Sequence, residues 1–250
     1  MYWTERCSMI ELNHISKKYG NMLAVDDLSL RIREGEIFGF IGPNGAGKTT
    51  TIKMMGGILI PTSGTIQICG IDMQKEPEAA KRKIGFIPDR PYLYEKLTGF
   101  EFLKFIADLY HMKTDHFDQK AHDKLKLFSL ADWSEELIES YSHGMKQRLI
   151  MSAALLHDPE IIIVDEPMVG LDPAAIIMVK DLFQRLAQGG VSVFMSTHTL
   201  SIAEDTCDRI GIIHRGSLIA SGTTADLQRE ANITDADLEK VFLNLTNTAN

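Results

Sequence analysis

Eight consecutive residues, "GPNGAGKT" from Gly42 to Thr49, combine closely spaced glycines with one lysine and one hydroxyl side chain, a set suited to holding a polyphosphate. Without a Cβ, the glycines let backbone N–H groups converge on phosphate oxygens and permit positive φ. In this G-x-x-x-x-G-K-[ST] pattern, Gly42, Asn44, Gly45, Ala46 and Gly47 form the cradle, and Thr50 follows in the first helical turn. Lys48 is placed to reach the β and γ phosphates and Thr49 to ligate Mg²⁺. The N-terminus of the following helix adds positive potential. A second group of reactive residues lies far downstream in "IIIVDEP", where four apolar residues put Asp165 at the carboxyl end of a buried strand. Asp165 can hold the metal through water, and Glu166 beside it can orient or deprotonate an attacking water. The ligand expected is a nucleoside triphosphate, and the adjacent carboxylates point to its hydrolysis.

Positioning these groups requires strands that end beside one another. "GEIFGFIG" and "EIIIVDEP", like "VSVFMSTH", are short, nearly all-apolar runs of the kind buried on both faces of a parallel sheet. The run after Lys48 reads as a helix to about Ile58, and "PAAIIMVKDLFQRLAQGG" as another. Upstream, Leu28, Leu30 and Ile32 alternate with polar neighbours in "LSLRIR", and "MIEL" and "GTIQICG" complete a small β layer. Between about Pro91 and Leu156 apolar residues fall three and four apart, predicting a helical insert. "RIGIIHRGSLIASG" predicts two strands turned at Arg215-Gly216, and "TDADLEKVFLNL" a last helix with Thr234 as its N-cap.

The phosphate loop, the Asp-Glu pair and three further motifs, in the order they take along the chain, resemble the ATP-binding subunits of ABC transporters from about Ile10 to Gly222. "YSHGMKQR", Tyr141 to Arg148, occupies the place of the signature motif, "GLDP" that of the D-loop, and His198 in "MSTH" that of the switch histidine. The resemblance implies an α/β fold: a P-loop NTPase core with a mixed, mainly parallel sheet, an N-terminal antiparallel β subdomain and a helical subdomain specific to the family. The ATPase domain would span residues 9–222, with the helical insert at about 91–156 and a short helical tail at 223–250. The nucleotide would be ATP, with Tyr19 of "KKYG" stacking on adenine and Thr49, Asp89 and Asp165 around Mg²⁺. Two such domains would close head to tail, Ser142 and Gly144 of one covering ATP on the other, with Asp172 at the seam. Glu166 would be the general base, and His198 would contact the γ-phosphate. Closure and reopening would drive a separate membrane permease from its cytoplasmic face, in the manner of the exporter and multidrug-type branch, docking around "DRPYLYEKLTGFEFL". Tyr92, Leu93, Tyr94 and Phe100 would supply apolar contact there.

Two motifs depart from the family pattern. Asp89 stands where glutamine or glutamate is usual, one methylene shorter than glutamate, which affects its reach to Mg²⁺ and its coupling role. Tyr141, His143 and Met145 replace the usual residues of the signature motif, and His143 is expected to face solvent or a partner domain rather than nucleotide.

Composition narrows the classes. A formal charge of −8 over 250 residues argues against a non-specific nucleic-acid binder. Three separated cysteines suggest neither disulfides nor zinc, and no apolar run is long enough to cross a bilayer, so any membrane role needs a partner. Glu5 and Arg6 stand where a signal peptide would be apolar. His111, His116 and His122 lack the helical spacing of a metal site. The alternatives are a non-transport ABC ATPase of the repair or translation type, and a regulatory subunit that binds nucleotide with little turnover.

Overall fold

The computed structural model of the chain describes residues 8–90, 92–113, 115, 117–231, 233 and 237–248. Pro91, His116 and Thr234, the last of them the expected N-cap, lie outside these. The chain begins with long strands β1 (Ser8–Tyr19) and β2 (Met22–Arg33), then a short apolar β3 (Ile37–Ile41) and helix α1 (Lys48–Met55). Strands β4 (Ser63–Ile68) and β5 (Ile71–Asp72), helix α2 (Pro77–Lys81) and strand β6 (Ile84–Ile87) follow. The insert contributes α3 (Gly99–Leu109), α4 (Phe117–Leu127) and α5 (His143–Ala154). Strand β7 (Ile161–Asp165), α6 (Pro173–Gln188), β8 (Ser192–Thr197) and α7 (Leu200–Thr206) restore the α/β alternation. The chain finishes with β9 (Arg209–His214), β10 (Ser217–Gly222), α8 (Thr224–Glu230) and α9 (Leu238–Thr248).

Two sheets result. The first is antiparallel, in the order β2-β1-β4-β5; the second has six strands in the order β10-β9-β3-β8-β7-β6, parallel except for the β9–β10 hairpin. Every residue of β3, β7 and β8 is buried, so apolar residues run on in these strands rather than alternating with exposed ones, and the polar residues at their ends, Asp165, Ser192, Ser196 and Thr197, are buried as well. Parallel pairing has a functional consequence. Ile41 is level with Thr197, Asp165 with Ser196 and Ile87 with Val164, so the residues that follow β3, β6, β7 and β8 emerge along one edge.

Three apolar clusters hold this edge in place. One joins α1 and the antiparallel sheet to the six-stranded sheet through residues such as Ile52, Met55, Phe40 and Phe194. Another packs the helical insert against the opposite face through Leu103, Leu125, Leu149, Ile162 and Phe183. The third sets Leu227, Leu238 and Val241 of the last two helices on Ile41, Ile210 and Ile212, so the C-terminal segment is docked on the sheet beside the phosphate loop. Helix α1 stops at Met55, short of the expected Ile58. Gly56 and Gly57 intervene, Gly57 at φ +65°, and the Ile58 N–H turns back to the Lys53 carbonyl.

Candidate functional site

The loop after β3 wraps round the start of α1. Gly47 caps the helix at φ +109°, and a Cβ there would lie 2.6 Å from the Ala24 carbonyl oxygen, so glycine is required both for conformation and for space. A Cβ at Gly42 would come within 2.4 Å of the Ile213 oxygen. The two glycines therefore let the loop pack tightly against β2 and β9, and the N–H groups that open a helix, which have no partner within it, are suited to an anion. Lys48 is buried, its Nζ donating to the carbonyls of Gly42 at 2.6 Å and Pro43 at 3.2 Å. Burial holds its ammonium below the ordinary lysine pKa, against the opposing pull of Glu166 and Asp165.

Asp165 ends β7 at 4% exposure and accepts hydrogen bonds from Thr49 Oγ1 (3.1 Å) and from Ser196 Oγ. Its carboxyl is pushed above the usual carboxylate range by burial; the two hydroxyls oppose this, and the negative charges of Asp89 and Glu166 add to it. A buried carboxylate and a hydroxyl, with Asp89 on the neighbouring strand end, are hard oxygen donors too few to enclose a cation. That suits Mg²⁺, which keeps waters and shares phosphate oxygens. Glu166 follows at φ +53°, a left-handed conformation uncommon for a residue with a side chain, held by its N–H donating to the Ser196 carbonyl at 3.1 Å. His198 Nδ1 lies 2.8 Å from Glu166 Oε1, so the two residues form one unit.

These groups line a cleft of about 480 Å³ with Tyr19, Met22, Ala24, Asn44, Gly45, Gly47, Thr50 and Asp89. Tyr19 stands 42% exposed, with Lys17 Nζ 5.5 Å from its ring centroid. Gly42 borders an adjoining cavity with Asn44 and His198, while Ala46 is buried beneath the loop. Ser142, Gly144 and Asp172 do not line the cleft. Ser142 and Asp172 instead cap helices: Ser142 Oγ accepts from the Met145 N–H at the start of α5, and Asp172 Oδ1 from the Ala175 N–H at the start of α6. His143 is exposed, and its ring also lies against Gly170.

Sequence reasoning overlooked Ser196, which anchors Asp165 from the adjacent strand; its place two residues before His198 was the available signal. It also overlooked Met22 and Ala24, which reach the cleft from the antiparallel sheet. Of the four apolar residues expected at a docking groove, Tyr92 and Tyr94 are 81% and 60% exposed, whereas Leu93 and Phe100 pack onto the core of the insert. Phe100 meets the rings of Phe117 and His122 there in tilted contacts.

A phosphate loop, a buried Asp–hydroxyl pair and a Glu–His pair at the strand ends of a P-loop sheet define a nucleotide-hydrolysing cassette. The chain belongs to the ABC transporter family, which it matches over residues 25–169. It is 41% identical to an uncharacterized ABC transporter ATP-binding protein of Bacillus subtilis (strain 168), over 91% of this chain and 74% of that one. It is 39% identical to a linearmycin resistance ATP-binding protein of the same organism, over 88% and 70% respectively. Among solved structures, an ATP-binding subunit of an ABC transporter superposes with a TM-score of 0.91 at 33% identity, covering 96% of this chain and all of the other. A dimeric cassette in a post-hydrolysis state with ADP and Pi superposes with a TM-score of 0.76 at 26% identity, covering 86% and 98%. The protein is thus an ATP-binding, ATP-hydrolysing subunit of an ABC transporter, with the mixed sheet, antiparallel layer and helical insert of that fold. No helix among the described residues is long and apolar enough to cross a membrane.

Proposed function

We propose that this ATPase subunit pairs head to tail with a second ATPase domain around MgATP and drives export through a separate permease at the cytoplasmic face of the membrane. The observation that carries the proposal is a division within the chain. Lys48, Thr49, Asp165, Glu166 and His198 surround one cleft, whereas the helix caps Ser142 and Asp172 lie outside it. A second domain, rotated about a two-fold axis, supplies the missing half of each site. The N-terminus of α5, twelve residues long and capped by Ser142, then presents free N–H groups to the γ-phosphate held by the partner.

Within the cleft, the phosphate loop binds the β and γ phosphates and Lys48 neutralises them, while Tyr19 offers its ring to adenine. Thr49, Asp165 and Asp89 would hold Mg²⁺, which supplies charge neutralisation on the phosphate oxygens. Glu166 takes a proton from the attacking water, and His198, bonded to Glu166, orients that carboxylate and faces the γ-phosphate. Water is excluded when the second domain covers the cleft. Export is supported by the relatives named for linearmycin resistance and, in Enterococcus faecalis, for bacitracin transport, 35% identical over 92% of this chain. Exposed Tyr92 and Tyr94 are offered to the permease. The test is Glu166→Gln, which keeps the binding groups and removes the base. With MgATP it is expected to elute as a dimer and without nucleotide as a monomer; a monomer under both conditions would overturn the pairing of two copies.

A further inference from the structure

His143 is the first residue of α5, directly after the Ser142 N-cap, and although exposed it has a defined seat. A Cβ built on Gly170 would lie 2.5 Å from His143 Cδ2 and 2.8 Å from its Nε2. Real Cβ atoms do not come so close, so the imidazole occupies the space a side chain at position 170 would need. Gly170 is also at φ +77°, which independently favours glycine. The joint continues at the next residue, where a Cβ on Gly144 would be in ordinary contact, 3.6 Å from the Gly170 carbonyl oxygen.

Gly170 lies in the loop that joins Glu166 to Asp172. The Val169 N–H donates to the Glu166 carbonyl at 3.2 Å and the Leu171 N–H to that of Met168 at 3.4 Å, so the loop is a pair of tight turns ending at the Asp172 cap of α6. Met168, Leu171 and Met145 belong to the same apolar cluster beneath it. The imidazole therefore presses the start of α5 onto a loop whose two ends carry Glu166 and Asp172. Glycine at 143 would leave that slot open and free the backbone there.

We propose that His143 is a positioning residue: its ring, seated on Gly170, locks the start of α5 to the 166–172 loop, so that Ser142 and Asp172 meet the second ATPase domain as one rigid surface. Histidine at 143 and glycine at 170 are then a matched pair. The inference rests on the head-to-tail pairing proposed above.

A double-mutant cycle of His143→Ala, Gly170→Ala and their combination, in the full-length chain, tests it. Three quantities are read: the protein concentration giving half-maximal MgATPase activity, the affinity of dilute protein for a fluorescent ATP analogue, and amide hydrogen exchange over residues 166–172. His143→Ala is expected to raise the half-maximal concentration about fivefold and speed exchange in the loop about threefold, with analogue affinity held within about twofold. Gly170→Ala is expected to be worse alone than beside His143→Ala, because the new methyl then meets no ring. Independent, multiplicative effects together with unchanged loop exchange in His143→Ala would overturn the proposal. If the wild-type chain shows no concentration-dependent activity, the pairing of two copies fails, and the exchange cycle still decides whether His143 and Gly170 are coupled. Should Gly170→Ala not fold, Gly170→Asn, whose side chain tolerates positive φ, takes its place.

Discussion

Replacing Asp165 with asparagine should make the nucleotide-free protein more stable while destroying its response to MgATP. Asp165 is 4% exposed and forms no ion pair among the described residues; its partners are the hydroxyls of Thr49 and Ser196. Burial raises its carboxyl pKa above that of the unfolded chain. Unfolding therefore releases a proton, and the native state is penalised once the pH exceeds the unfolded value. Below the unfolded value the group is neutral in both states and the penalty is absent. It grows as pH rises through the folded value and is then constant up to neutrality. Each pH unit of elevation corresponds to about 1.4 kcal/mol. Asparagine is nearly isosteric and uncharged; one hydroxyl can go on donating to its Oδ1 while the other turns to accept from its Nδ2, at a cost of about 0.5 kcal/mol for imperfect geometry. Each kcal/mol of net gain raises Tm by about 2–4 °C for a chain of this size. Thermal denaturation in EDTA at pH 7.5 should show this gain, shrinking as pH is lowered towards 4, and MgATP should stabilise the wild type but not the variant. A lower Tm for Asp165→Asn at pH 7.5, or an equal gain at both pH values, would refute the reasoning.

Arg209→Ala is expected to be far more damaging than an ordinary surface change. Arg209 Nη1 lies 2.9 Å from the Oε1 of Glu36, a carboxylate only 5% exposed, and losing one partner of such a pair costs about 3–5 kcal/mol. Urea denaturation should show it, and a loss under 1 kcal/mol would mean that Glu36 is held by the Arg33 N–H alone. Asp89→Gln restores the longer side chain usual at that position of the cleft. It should change the stimulation of ATPase activity by the reconstituted permease more than ATP affinity, and a tenfold loss of affinity would contradict the place given to Asp89.

The site was legible where chemistry and strand burial coincide. The glycines of the phosphate loop declare their own backbone geometry, and all-apolar strands announce a parallel sheet whose carboxyl ends must lie together, so Lys48, Asp165 and His198 could be expected as neighbours. Residues whose importance arises only from pairing across strands were not legible. Ser196 matters because β8 places it level with Asp165, and no local pattern encodes that register. The bond between His198 and Glu166 likewise depends on how two loops converge. Leu93 and Phe100 share a segment with exposed tyrosines yet point inward, because the approach to α3 turns them onto the insert core. The last helix was expected from the sequence, but its seat on Ile41 and Ile210 is a matter of tertiary packing. The seat of the His143 ring was invisible for the same reason, since Gly170 is distant in sequence and adjacent only through the fold.

The central claim is that complete ATPase sites form only between two domains, and the most direct measurement of it is steady-state ATPase activity per subunit as a function of protein concentration, with Lys48→Ala as the blank. Specific activity should rise with concentration and saturate as paired sites form. Activity above the blank that is independent of concentration down to the lowest dilution, in a chain shown to be monomeric there, would mean that one cleft hydrolyses ATP unaided and would contradict the account.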